Sequence, residues 1–200
     1  AFDYTDGAAE GELSLARARQ SYEDVEFHPS ILRDVSSVDT TTSILGGTSA
    51  MPFGIAPTGF TRLMQTEGEI AGAGAAAAAG IPFTLSTLGT TSIEDVRVAN
   101  PYGRNWFQLY VMKDRGFARS LVERAIAARC SALVLTVDLQ VLGQRHSDIR
   151  NGLSVPPALK LANLINMATK PRWAYSVLTG KRRTFGNLAG VKGKQKVKAL

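Results

Sequence analysis

Between residues 53 and 138 the chain repeats one short cycle, and that cycle restricts the fold more than any other feature. Apolar runs at 53–56, 81–85, 105–111 and 132–137 have the length and composition of buried strands. Segments with helical spacing fill the gaps at 67–79, 92–99 and 114–129. The polar residues that close the runs are Thr58, Ser86, Tyr110 and Asp138, at intervals of 28, 24 and 28 residues. One strand, one helix and two short loops fit such an interval, so the region predicts successive βα units in a parallel sheet. Parallel strands are covered on both faces and read as unbroken apolar runs, as Ala132-Leu133-Val134-Leu135 does. A doubly wound sheet and a (β/α)8 barrel both satisfy the pattern. Both carry function at the carboxyl ends of their strands.

The two-residue side-chain period then sorts the strand ends. Gln108 and Tyr110 fall on one face, with Phe107, Leu109 and Val111 on the other; Thr136 and Asp138 also share a face. A carboxylate buried at a strand end costs several kcal/mol unless partnered, so Asp138 is expected to orient a base or a cation. The competing reading is a helix cap that opens the next element. Ahead of the repeat, residues 37–52 alternate around Gly46-Gly47 and predict a hairpin. Residues 7–35 mix helical and extended patterns, broken at Pro29.

Several motifs fail on context. Gly72-Ala73-Gly74-Ala75-Ala76-Ala77 matches a dinucleotide fingerprint, but the residues before it are helical rather than extended. Small residues for close helix–sheet packing explain it better. His28, His146 and Cys130 have no metal-ligand spacing, His28 reads as a turn residue, and a single cysteine excludes a disulfide framework. In the loop after Asp138, Arg145 and Arg150 are both placed to grip a carboxylate or a phosphate, and spacing does not choose between them.

Charge is divided along the chain. Residues 1–148 hold all 17 acids and 12 bases, whereas 149–200 hold 11 bases and no acid. The charge split therefore disfavours a uniformly basic nucleic-acid-binding domain. Lys181-Arg182-Arg183 follows an apolar stretch with Leu161, Leu164, Ile165, Met167, Trp173 and Tyr175, and Lys192, Lys194, Lys196 and Lys198 alternate near the end. Such a segment suits interfacial contact with anionic lipid or non-specific nucleic-acid contact; a solvated tail is the plain reading. The longest small and apolar stretch, 70–83, is too short to span a bilayer.

The residues quoted above, with their neighbours, resemble a known family. Phe2-Asp3-Tyr4, Ile55-Ala56-Pro57-Thr58-Gly59, Thr84-Leu85-Ser86-Thr87, Phe107-Gln108-Leu109-Tyr110-Val111, Leu135-Thr136-Val137-Asp138 and Leu142-Gly143-Gln144-Arg145 stand in the order found in FMN-dependent α-hydroxy acid dehydrogenases and oxidases. The resemblance covers about residues 1–190 and implies a (β/α)8 TIM barrel. It implies an N-terminal segment over 1–52, the first half of the FMN-binding barrel over 53–138, a long loop over 139–190 and a basic tail over 191–200.

The resemblance also implies roles. Pro57, Thr58, Gly59, Ser86, Gln108 and Thr136 would bind FMN. Tyr4 and Arg145 would hold the substrate carboxylate, Tyr110 would stand beside the substrate hydroxyl, and Asp138 would support a catalytic histidine. The reaction implied is oxidation of an L-2-hydroxy acid to the 2-oxo acid, whether the proton leaves the hydroxyl or the α-carbon. Leu88 and the loop after Asp138 favour a lactate-dehydrogenase type with a quinone or cytochrome acceptor; Gly59 is shared with mandelate-type relatives. An oxidase of glycolate or mandelate type using O2 is the alternative. From another class comes a non-catalytic membrane- or nucleic-acid-binding module built on 149–200.

The family's histidine base belongs to the second half of the barrel. The chain is therefore expected to be a truncated or frameshifted piece, inactive as it stands. The complete enzyme is expected to be a cytoplasmic homo-oligomer, with a peripheral place at the inner membrane face as the variant, and without nucleic acid as a partner.

Overall fold

The computed structural model describes residues 2–138, 141, 143–152, 161–180 and 184–188. The chain forms two compact units, one from Ala1–Asp39 with Gln140–Pro171 and one from Thr40–Leu139 with Arg172–Leu200. The basic blocks at 181–183 and 192–198, and the side chains of Leu161 and Leu164, lie outside the described residues.

In chain order the elements begin with helices α1 (Phe2–Asp6) and α2 (Leu13–Glu23) and strands β1 (Thr42–Ile44) and β2 (Gly47–Ser49). Helices α3 (Thr61–Met64) and α4 (Gly68–Ala78) follow, then β3 (Phe83–Ser86), α5 (Ile93–Ala99), β4 (Asn105–Tyr110), α6 (Arg115–Ala127) and β5 (Ala132–Thr136). The remaining elements are α7 (His146–Arg150), α8 (Leu161–Ala168), α9 (Pro171–Thr179) and a 3-10 turn at Gly186–Leu188.

The larger unit is built on a parallel sheet in the order β3-β4-β5. Ser86 pairs with Gln108, and Tyr110 with Thr136, so the strand ends stand level. Phe107, Leu121, Ile93, Val96 and Ala73 are at most 2% exposed, which places the core between the sheet and α4–α6. Burying a side chain such as Phe107 is worth about 2–3 kcal/mol. Caps define the helix starts. Ser92 Oγ accepts from Asp95 N at 3.0 Å, and Asp114 Oδ1 accepts from Phe117 N at 2.9 Å.

The glycine–alanine stretch lies within α4, and a Cβ on Gly72 would come 3.0 Å from the Phe83 ring. Close helix–sheet packing is therefore the reason for the small residues. The strand expected at 53–56 is only a bridge, Ile55 to Phe83, with Ile55 N donating to Pro82 O and Thr84 N to Ile55 O. Pro52 and Pro57 bracket it, and proline cannot donate to a ladder. The hairpin expected at 37–52 is β1–β2, antiparallel, turning through Leu45 and Gly46 at φ of 45° and 74°. Two left-handed residues are what a tight primed turn requires. Arg104 from the strand β4 approach donates to Gly47 O and Ile44 O and fixes the hairpin to this unit.

Strand β5 is different from its neighbours. Its burial alternates, and Leu133 and Leu135, on the face shared with Phe107 and Leu109, remain 47% and 54% exposed. No other strand among the described residues pairs with its outer edge.

In the smaller unit, α1 packs against α7. Glu10 N donates to Gln144 O at 2.7 Å, and Gln144 N donates to Glu10 Oε1 at 3.0 Å.

Candidate functional site

At the carboxyl end of the sheet, three of the expected site residues form one hydrogen-bonded row. Gln108 is 2% exposed, and its Oε1 accepts from Ser86 Oγ and Thr87 N, each at 3.2 Å. Its Nε2 donates to Thr136 Oγ1 at 2.7 Å. The backbone N–H of Thr87 can only donate, so it fixes which end of the amide is oxygen. Both acceptor positions of Gln108 are thereby filled, and Nε2 carries a second N–H beyond the one given to Thr136. Thr87 Oγ1 donates in turn to Gln108 O, and Leu88 N donates to Ser86 Oγ at 3.1 Å. The row is neutral and hydroxyl-rich.

Pro57 and Thr58 follow the Ile55 bridge and are exposed; Gly59 is half-buried. A Cβ on Gly59 would come 3.2 Å from Leu88 Cβ, so the glycine lets this turn lie flat on the next loop. Phe60 N donates to Leu88 O at 3.3 Å and holds the two loops together. Tyr110 is half-buried beside Thr136. Asp138 departs from expectation, because it is exposed rather than buried. It lies two residues beyond β5, the strand whose outer edge carries no neighbour among the described residues.

The smaller unit brings together the other expected pair. The Arg145 guanidinium lies 5.0 Å from the Tyr4 ring centroid, and its Nη2 donates to Tyr4 O at 2.6 Å. Its Nε donates to Asp148 Oδ2 at 2.5 Å. Burial raises the Tyr4 phenol above its usual pKa; Arg145 lowers it and Asp148 raises it further. Arg150, the rival cation, is exposed at the end of α7. His146 Nε2 lies 3.2 Å from Glu10 Oε2, and His28 is exposed. Among the described residues, no group of three or more His, Cys, Asp or Glu could hold a metal ion.

Sequence reasoning missed several residues at these sites. Asp148 steers Arg145 but stands three residues from it, in a pattern shared by any helix-surface pair. Asn187 is 1% exposed; its Nδ2 donates to Ser86 O and its Oδ1 accepts from Ile93 N. It had no local signal. Trp173, part of the apolar stretch for which interfacial contact was one reading, donates its indole N–H to Leu63 O at 3.0 Å.

Against known proteins, the sequence pattern of the FMN-dependent dehydrogenase family matches residues 1–199. The chain belongs to this family. It is 56% identical over 188 residues to a Mycobacterium tuberculosis protein named "Putative L-lactate dehydrogenase", covering 94% of this chain and 45% of that protein. It is 42% identical over 193 residues to the L-lactate dehydrogenase of Ectopseudomonas mendocina, covering 96% and 50%. The crystal structure of a monotopic membrane protein, (S)-mandelate dehydrogenase, superposes with a TM-score of 0.89 at 34% identity, over 97% of this chain and 51% of that one. A mandelate oxidase mutant in complex with (S)-mandelic acid gives 0.72 at 40% identity, over 80% and 46%.

The chain thus spans about half the length of the relatives it matches. The β3-β4-β5 sheet and its helices are an N-terminal portion of the family's TIM barrel. The family is FMN-dependent. The row at the sheet end fits that group, because the flavin ring edge alternates carbonyls with an N–H and needs neutral donors and acceptors. Ser86, Gln108 and Thr136 supply these without a charge.

Proposed function

We propose that this chain provides the flavin-cradling and carboxylate-gripping parts of an FMN-dependent dehydrogenase that oxidises an L-2-hydroxy acid, lactate in the first place, to its 2-oxo acid. Pro57, Thr58, Gly59, Ser86, Gln108 and Thr136 hold the cofactor, which when bound accepts the two electrons of the reaction. The remaining Gln108 N–H donates to an acceptor on the flavin ring. Arg145 and the Tyr4 phenol bind the substrate carboxylate, and Tyr110 donates to the substrate hydroxyl. Asp138 supports a histidine base supplied by the half of the family's barrel that this chain does not span. The electrons leave to a quinone or a cytochrome, with the complete protein peripheral at a membrane.

The observation that carries this reading is the Tyr4–Arg145 pair, a planar cation held at 5.0 Å over a phenol and steered by Asp148. The guanidinium is held through Nε and Nη2, and bidentate recognition of a carboxylate would use its Nη1–Nη2 edge. The names of the L-lactate dehydrogenase relatives support lactate. A second reading, a mandelate-type enzyme, draws support from the 0.89 superposition on (S)-mandelate dehydrogenase.

The test joins this chain to the second barrel half of a close relative, loads it with FMN, mixes it with L-lactate, glycolate or (S)-mandelate without oxygen and follows bleaching of the flavin band. Lactate should bleach it fastest, and a quinone should restore the colour faster than O2 does. Arg145→Met should raise KM and lower kcat together, because the grip on the carboxylate serves binding and orientation alike. Absence of bleaching with all three acids refutes the proposal.

A further inference from the structure

Glu69 is a buried acid that the proposed chemistry does not use. It stands in the first turn of α4, 2% exposed. Its Oε1 accepts from Thr90 N at 2.6 Å and from Thr90 Oγ1 at 3.0 Å; its Oε2 accepts from Thr90 Oγ1 at 2.9 Å and from Thr91 Oγ1 at 2.7 Å. Burying a carboxylate is expensive, and an apolar residue of similar size is commonly as good for stability or better. A side chain kept here at that cost is explained by what it holds.

What it holds is the loop between β3 and α5, and through that loop both stretches assigned to the flavin. Thr90 Oγ1 accepts from Arg62 N at 3.2 Å, and Leu88 O accepts from Phe60 N. Gly59 lies against Leu88. Gly89 N donates to Ser86 O at 2.9 Å, and a Cβ on Gly89 would come 2.9 Å from Ser86 O and 3.4 Å from Glu69 Oε1, so the turn is cast tightly on the carboxylate. Thr90 and Thr91 bond Glu69, Ser86 bonds Gln108 at the sheet end, and the 58–60 turn lies on Leu88.

We infer that Glu69 is a positioning residue for the cofactor, setting the loop 86–91 so that Ser86 and the Pro57-Thr58-Gly59 turn present their groups to the flavin in register. This rests on the reading that these residues hold FMN. Its consequence is specific. Loss of the carboxylate should degrade cofactor binding more than it degrades folding, because the loop is held at its own threonines while the core under α4 is apolar.

The test compares the intact wild-type protein with Glu69→Gln and Glu94→Gln. Glu94 pairs with Arg124 on the outer face of the same region, at 2.7 and 2.8 Å, and touches neither flavin stretch. FMN dissociation constants and visible circular dichroism of the bound flavin are recorded at a temperature where all three are folded. Glu69→Gln should bind FMN about tenfold more weakly, the scale of one net hydrogen bond lost from the loop's support, and show an altered dichroism band. Glu94→Gln should match the wild type in both, even where its melting temperature falls further. Should Glu69→Gln not fold, Thr91→Val, which removes one of the bonds, replaces it and should show the same shift on a smaller scale. Wild-type affinity and an unchanged band in the folded variant overturn the inference. A wild-type protein that takes up no FMN overturns the functional reading on which it rests.

Discussion

Replacing Gln108 with leucine keeps the side chain's size and removes its amide, and the structure allows the cost to be worked bond by bond. Three hydrogen bonds are lost, from Ser86 Oγ, from Thr87 N and to Thr136 Oγ1. They are not equivalent. Thr136 is half-buried, so water can take the place of the amide there. Ser86 Oγ is a rotor that continues to accept from Leu88 N. Thr87 is fully buried at 0% exposure, and its N–H has no such recourse. An orphaned buried donor costs about 1–3 kcal/mol, and the extra apolar burial of leucine returns part of this. A net loss of about 2 kcal/mol follows, which for a domain of this size lowers the melting temperature by about 4–8 °C. Equilibrium unfolding of the intact apoprotein in urea should show a lower midpoint with an unchanged slope. Gln108→Glu keeps an oxygen for Thr87 N and separates loss of that bond from loss of the amide's N–H. A midpoint for Gln108→Leu within about 0.5 kcal/mol of the wild type would mean that Thr87 N–H has another acceptor, and the hub assigned to Gln108 would be refuted.

Other expectations follow from the same geometry. Burial pushes the Cys130 thiol up to about 11, so iodoacetamide at mildly alkaline pH should leave it unmodified in the native protein and label it once urea is added; rapid native labelling would contradict the burial. A Cβ on Gly186 would come 2.5 Å from both Ser92 N and Thr91 C, so Gly186→Ala should destabilise by about 3 kcal/mol or undock the turn, read as new protease cleavage near residue 186. Hydrogen bonding and charge from Arg124 hold the Glu94 carboxyl below its usual pKa, and for Glu69 burial raises the pKa but bonds from Thr91, Thr61 and Thr90 more than offset it. Both groups bind protons more readily when unfolded. Their stabilisation is therefore complete above the ordinary carboxylate pKa and lost as pH falls through the lowered native values. The urea midpoint should drop between about pH 5 and about pH 3, and a flat profile there would count against both assignments.

The parts of this structure legible in the sequence are those with a local cause. The βα cycle announces itself because parallel strands are apolar throughout and each helix needs a cap and a stripe, as Ser92 and Asp114 supply. The hairpin is legible because two left-handed residues were required and Gly46 was there to take one. The first strand shrank to Ile55 because Pro52 and Pro57 remove donors, a limit the apolar run conceals. Asp138 was expected inside because its strand reads as central, yet a strand's burial is settled by neighbours that its own residues do not encode. Glu69, Asp148 and Asn187 were missed for one reason. Each works through partners distant in sequence or through a spacing common on any helix, and neither leaves a periodic trace.

Asn187 also bears on the order in which this protein is made. It closes on Ile93 and Ser86 from 94 and 101 residues downstream. A ribosome adding about 5–20 residues per second leaves the loop after β3 without that clasp for about 5–20 seconds. During synthesis the loop after β3 therefore waits on Glu69 alone among these two anchors, since residue 69 has already emerged. Contacts of such span slow the final approach to the native state. Late docking of the 184–188 turn is the step on which a slow folding phase of this protein should depend.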